Sequence, residues 1–151
     1  MSLESLYQQV ILDHYKVPRN RGRLENATAR VLLENPTCGD VIAVEVLVDG
    51  DRVSDVKFNG KGCSISQASA SMMTQKIKGK TLAEAQATLA QFRNMMRGES
   101  GDYKDLGDLQ ALQGVSKYPV RVKCATLAWN SLEKAMDQVG EVPGSDHKEG
   151  T

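Results

Sequence analysis

Ile42-Ala43-Val44-Glu45-Val46-Leu47-Val48-Asp49-Gly50-Asp51 is the stretch from which the fold can be read. Ile42, Val44, Val46 and Val48 recur at every second position, the period at which side chains of a strand point to one face. Asp49-Gly50-Asp51 is a hairpin signal, so the chain turns back at once and Val53–Asn59 is predicted as the next strand. Ala29–Glu34, ending before Pro36, is predicted as the strand before. Three strands joined by short connections make an antiparallel meander.

On either side the period becomes helical. Ser2–Tyr15 carries Leu3, Leu6, Tyr7, Val10 and Ile11 on one stripe, with Ser2 as N-cap and Pro18 beyond its end. After Gly62, the residues Ile65, Ala68, Met72 and Met73 share a face, and Gly79 closes the segment. Thr81 and Glu84 have the spacing of a capping box, opening a helix with Leu82, Ala85, Leu89 and Phe92 inward. Asp105–Leu112 is predicted as a short helix. Pro119 interrupts, and Lys123–Gln138 follows as the last helix with Ala125, Ala128, Leu132 and Met136 inward. A three-stranded antiparallel sheet with about four to five helices is an α+β fold. Residues 1–139 are expected to form a single domain and 140–151 a disordered polar tail.

Of the 151 residues, 40% are hydrophobic, enough for one core of ordinary size. Lys plus Arg is 19 and Asp plus Glu is 19. That balance argues against nucleic acid as the main partner, since phosphate binding wants a cationic surplus. The longest apolar-rich stretch, Val41–Val48, contains Glu45 and is far too short to span a bilayer, so no membrane is expected. The N-terminus has no signal-peptide pattern, which makes the cytoplasm the expected compartment. Free thiols are expected there, and three cysteines could not all pair in any case.

Each cysteine falls at a junction between predicted elements: Cys38 between two strands, Cys63 between a strand and a helix, Cys124 where the last helix is predicted to begin. Gly39 and Gly62 let the chain wrap closely around an ion. Cys63 and Cys124 lie near predicted helix N-termini, where the dipole and free N–H groups favour the thiolate. A single such cysteine is commonly a small core residue, but three at polar, glycine-flanked junctions point to a shared metal site. Asp40, two residues after Cys38, is the candidate fourth ligand of a tetrahedral site; an Asx-turn is its plainer role. His14 is a candidate transient ligand or a capping or surface residue near a helix end, and His147 lies in the tail. Three thiolates and a carboxylate around a divalent ion would leave a charge of about −2, which Lys61, Arg121 and Lys123 could offset if they do more than solvate the surface.

Three segments together resemble one family: Asn-Pro-Thr-Cys-Gly-Asp at 35–40, Gly-Lys-Gly-Cys-Ser-Ile-Ser at 60–66 and Arg-Val-Lys-Cys-Ala-Thr-Leu-Ala-Trp at 121–129. They look like the three cysteine motifs of the SufU/IscU, or NifU N-terminal-like, family of iron-sulfur cluster assembly proteins. Ile-Leu-Asp-His-Tyr-Lys-Val-Pro-Arg-Asn at 11–20 is similar to that family's N-terminal signature, and the resemblance runs from about residue 3 to 138. Lys123 stands where IscU-type proteins carry a histidine ligand, and the stretch from Arg97 to Tyr118 looks like the additional segment of SufU-type proteins. The resemblance therefore implies the SufU branch, a SufE/NifU-like fold, and a zinc-dependent sulfurtransferase with Zn²⁺ on Cys38, Asp40, Cys63 and Cys124. Its implied partners are a SufS-type cysteine desulfurase and downstream iron-sulfur assembly proteins.

Within that reading Cys38 is the expected sulfur acceptor, because its loop can swing without breaking a helix. Cys124 is the alternative that IscU-like relatives suggest. The run Lys16–Arg23, with His14, Tyr15, Pro18, Arg19 and Arg21, is the expected partner-binding surface. The open alternatives are a scaffold for an iron-sulfur cluster on the same cysteines, a module with a purely structural zinc and, most weakly, a cysteine hydrolase using His14.

Overall fold

The computed structural model describes residues 2–140. The expected tail from residue 141 onward, with His147, lies outside the described residues. Three strands, β1 (Ala29–Asn35), β2 (Asp40–Asp49) and β3 (Arg52–Lys61), form one sheet in the order β1-β2-β3. Both pairs are antiparallel, with Val31 opposite Val44 and Val44 opposite Phe58. Asp49 pairs with Arg52, so Gly50 and Asp51 alone make the hairpin loop, and Gly50 supplies the positive φ of 66° that such a loop needs. The register shifts after Leu47, so that Val48 pairs with Val53 and Leu47 with Asp55. The extra residue in β3 lets Val53 and Val56, three apart, both be buried.

Among the described residues there are four α-helices, α1 (Leu3–Lys16), α2 (Ser64–Ile77), α3 (Leu82–Met96) and α4 (Pro119–Gly140); α2 and α4 pack on the sheet, and α1 and α3 pack against other helical segments. A 3-10 segment spans Lys104–Lys117 and is kinked at Gly107, whose φ is 59°. It is longer than the short helix predicted over Asp105–Leu112. Ser2 caps α1 by accepting from Ser5 N, and Thr81 and Glu84 form the expected capping box on α3. Ala125, Ala128, Leu132 and Met136 of α4 are buried, and Trp129 stacks on Phe92 of α3 with ring centroids 4.4 Å apart.

Two helices depart from their sequence reading. Helix α4 begins at Pro119 rather than Lys123. Proline suits a first helical position because its missing N–H would have had no intrahelical partner there. Helix α2 is buried over Ser66–Thr74 without a break instead of on one stripe. Its small residues admit neighbours on every side, and its hydroxyls find partners: Ser69 Oγ donates to Ala125 O at 2.6 Å and Thr74 Oγ1 to Ser71 O at 2.7 Å. Among the described residues no helix is long and apolar enough to cross a membrane.

Candidate metal centre

The end of the sheet opposite the hairpin gathers the cysteines. Pro36–Gly39 form the turn from β1 to β2. The turn is closed by Asn35 O, which accepts from Cys38 N at 3.2 Å and from Gly39 N at 2.9 Å. Cys38 is thereby half-buried on a short turn, and Asp40, the first residue of β2, is fully buried.

Helix α2 has Cys63 at its N-cap position, but the Cys63 side chain makes no capping bond. Asp40 acts in its place: Oδ1 accepts from Cys63 N at 2.9 Å and from Ser66 Oγ at 3.1 Å. A remote carboxylate thus serves the helix N-terminus, where orphan donors and the dipole favour negative charge, and the Cys63 thiol is left free of that task. Gly62 is what allows the approach. A Cβ there would collide with Asp40 Oδ1 and lie 2.7 Å from Ser66 Oγ.

Cys124 comes from α4 and is fully buried. Because the helix begins at Pro119, Cys124 lies in its second turn, which corrects its expected place at the N-terminus; the dipole's help fades over that distance. Burial pushes the Cys124 thiol far up from its ordinary value, and hydrogen bonds with Cys38, Asp40 and Cys63 push in the same direction.

Cys124 Sγ lies 2.9 Å from Cys38 Sγ, too far for a disulfide bond and closer than ordinary sulfur contact. Ligand atoms of Cys38, Asp40 and Cys124 all lie within 4.8 Å of one another. Cys63 adjoins this trio through its backbone N–H, which donates to Asp40 Oδ1, but its sulfur is not among the atoms that lie within 4.8 Å of one another. Soft sulfurs beside one buried carboxylate suit zinc or an iron-sulfur centre, and the Gly62 cradle holds that carboxylate in place. The residues present fit such a group.

Lys61, Arg121 and Lys123 are exposed, and among the described residues none of them forms an ion pair. The structure puts His14 inside the protein, at 2% exposure, rather than in a surface or capping role. Its Nδ1 is 2.8 Å from Ser71 Oγ and its Nε2 3.4 Å from Asp108 Oδ2. Burial holds its pKa below the ordinary histidine value, against the opposing pull of Asp108. Buried there, His14 cannot line a partner surface with its neighbours. Tyr15 is 44% exposed and Arg21 is exposed, whereas Pro18 and Arg19 are half-buried.

The run from Lys16 to Arg23 is not a free loop. Arg19 donates to Asp13 Oδ2 at 2.6 Å and its backbone N to Ser71 Oγ at 2.8 Å. Gly22 N donates to Phe58 O at 2.9 Å, and Arg21 reaches Gly60 O at 3.0 Å.

Two residues of the centre have no counterpart among the sequence-derived candidates. Asn35 is 8% exposed and faces Asp40 across the turn; Ser66 is fully buried. Ser66 could have been found from its place three residues after the N-cap, where a side chain can reach back to the helix start.

Comparison with known proteins places the chain in a family. The family described as NifU-like N terminal domain matches residues 6–125. The zinc-dependent sulfurtransferase SufU of Bacillus subtilis (strain 168) is 57% identical over 136 residues, covering 89% of this chain and 92% of that protein. The iron-sulfur cluster assembly scaffold protein IscU of Streptococcus pyogenes serotype M1 is 47% identical over 135 residues, covering 89% and 84%. A crystal structure from Fervidobacterium islandicum AW-1, described as a candidate iron-sulfur cluster assembly scaffold for the SUF system, superposes with a TM-score of 0.82 at 40% identity, covering 89% of this chain and 99% of that one. By this match, with the three cysteines and Asp40 drawn to one end of the sheet, the chain belongs to the NifU-like N-terminal domain family.

Proposed function

We propose that this protein is a zinc-dependent sulfurtransferase of iron-sulfur cluster assembly, receiving sulfur from a SufS-type cysteine desulfurase and passing it to downstream assembly proteins. The observation that carries the reading is the convergence of Cys38, Asp40 and Cys124 within 4.8 Å, beside Cys63. Cys38, Asp40, Cys63 and Cys124 would hold the zinc. When bound, zinc supplies the positive charge that keeps buried thiols deprotonated. Three free thiols suit a reducing compartment, and we assign the work to the cytoplasm.

Cys38 is the sulfur acceptor in this reading. It is half-buried on a turn, whereas Cys124 is fully buried within a helix, out of reach of an approaching donor. The Cys38 thiolate attacks the outer sulfur of the donor's persulfide. A new S–S bond forms at Cys38, the old one breaks, and the desulfurase cysteine leaves as a thiolate. Exposed Tyr15 and Arg21 would meet the donor enzyme, with Lys61, Arg121 and Lys123 offsetting the charge of the centre.

The test is to mix the protein with a cysteine desulfurase and cysteine, then map the mass gain of one sulfur atom by peptide mass spectrometry. The gain is expected on the Cys38 peptide and lost in Cys38→Ser. A Cys38→Ser variant modified at the wild-type rate would overturn the assignment.

The second reading is a scaffold on which an iron-sulfur cluster is assembled, favoured by the 47% identity to a protein so named. The same thiols serve either centre. Purified protein with zinc and no colour supports sulfur transfer; iron with visible absorption bands supports the scaffold.

A further inference from the structure

Asn35 touches all three side chains that cluster most tightly, or the turn that carries them. Its backbone oxygen holds the Cys38 turn through Cys38 N and Gly39 N. Its side-chain Nδ2 lies 3.5 Å from Asp40 Oδ2 and 3.9 Å from Cys124 Sγ. The amide is 8% exposed, so water has little part in satisfying it. Its orientation follows from chemistry: turned over, its carbonyl oxygen would face a carboxylate. One NH₂ group with two hydrogens can serve both acceptors, and both belong to groups that carry negative charge when they act as ligands.

Asp40 is thus held from two sides. Ser66 and the α2 terminus take Oδ1, and Asn35 takes Oδ2. Ser66 Oγ bonds Asp40 Oδ1 and Cys63 O but, among the described residues, no cysteine sulfur, whereas Asn35 Nδ2 faces Cys124 Sγ.

We propose that Asn35 is a positioning residue for the metal centre, orienting Asp40 Oδ2 and donating a hydrogen bond to the Cys124 sulfur, while Ser66 fixes the other carboxylate oxygen. This rests on the metal-site reading of Cys38, Asp40, Cys63 and Cys124. Partners that hold ligands in place typically shift metal affinity by about 10- to 100-fold when removed. An N–H directed at a thiolate also withdraws charge from sulfur, which places sulfur-to-metal charge-transfer absorption at higher energy.

The experiment compares the wild-type protein with Asn35→Ala, Asn35→Ser and Ser66→Ala. Zinc affinity is measured by chelator competition, and the absorption spectrum is recorded with Co²⁺ as a coloured substitute. Both Asn35 variants should lose about 10- to 100-fold in zinc affinity, with the sulfur-to-cobalt band moved to lower energy. Ser66→Ala should weaken zinc without moving that band, since Ser66 bonds the carboxylate and not the sulfur. A merely structural Asn35 would lower thermal stability and leave affinity and band position unchanged; that result overturns the proposal. Wild-type protein that binds neither metal would sink the metal-site reading itself, and this inference with it.

Discussion

Cys38 Sγ and Cys124 Sγ lie 2.9 Å apart although 86 residues separate them along the chain. One sits on a turn at the edge of the sheet and the other inside the last helix. The packing of α4 against β1 and β2 brings them together. The centre is therefore a property of the folded domain, and changes that disturb the sheet end nearest it should alter the proposed binding of metal.

Gly62→Ala is the sharpest such change. The added methyl would collide with the Asp40 carboxylate, at a φ of 154° that side-chain-bearing residues rarely adopt. The expected cost is about 1–3 kcal/mol of stability from the backbone alone, with zinc retention lost as Asp40 is displaced. Thermal unfolding and metal content of the purified variant check both parts. Wild-type zinc content in Gly62→Ala would show that Asp40 is not where it must be.

His14 makes stability depend on pH. Its folded pKa lies below the ordinary value of 6.5 because of burial, with Asp108 and Asp13 pulling the other way and Arg19 reinforcing the shift. The native state thus binds fewer protons than the unfolded chain between the two values. Stability is full above the unfolded value, falls as pH drops below about 6.5, and levels off beneath the folded value. Melting temperature followed against pH should show this step in the wild type and a flatter curve in His14→Asn. Curves of equal slope would contradict it.

Much of this fold is legible in the sequence, because its local signals agree with its packing. The Ile42–Val48 alternation and the Thr81/Glu84 spacing both led to the elements observed. Helix α1 misled in part: Leu6, on its expected apolar stripe, is 47% exposed, and His14 is buried instead. Periodicity shows which residues share a face, not which neighbour covers it. Gathering the cysteines was legible because glycine and carboxylate lie beside them in sequence. Asn35 was not, since its role comes from standing opposite Asp40 across the turn and from meeting Cys124, 89 residues away.

Docking to the proposed desulfurase partner should depend on salt. Arg21 and Arg23 are exposed on a segment pinned to β3, with Arg23 paired to buried Glu45. A rigid cationic edge of this kind steers an acidic partner, and screening weakens that steering. Association measured by surface plasmon resonance should slow as salt rises, and Arg21→Glu should slow it further. Rates that ignore both salt and the charge reversal would contradict a charged docking edge.

X-ray absorption at the zinc edge of the purified protein tests the central claim most directly. If Cys38, Asp40, Cys63 and Cys124 share one zinc ion, the spectrum will fit three sulfurs at about 2.3 Å and one oxygen at about 2.0–2.2 Å. A first shell of four sulfurs, or one made of oxygen and nitrogen alone, would contradict it.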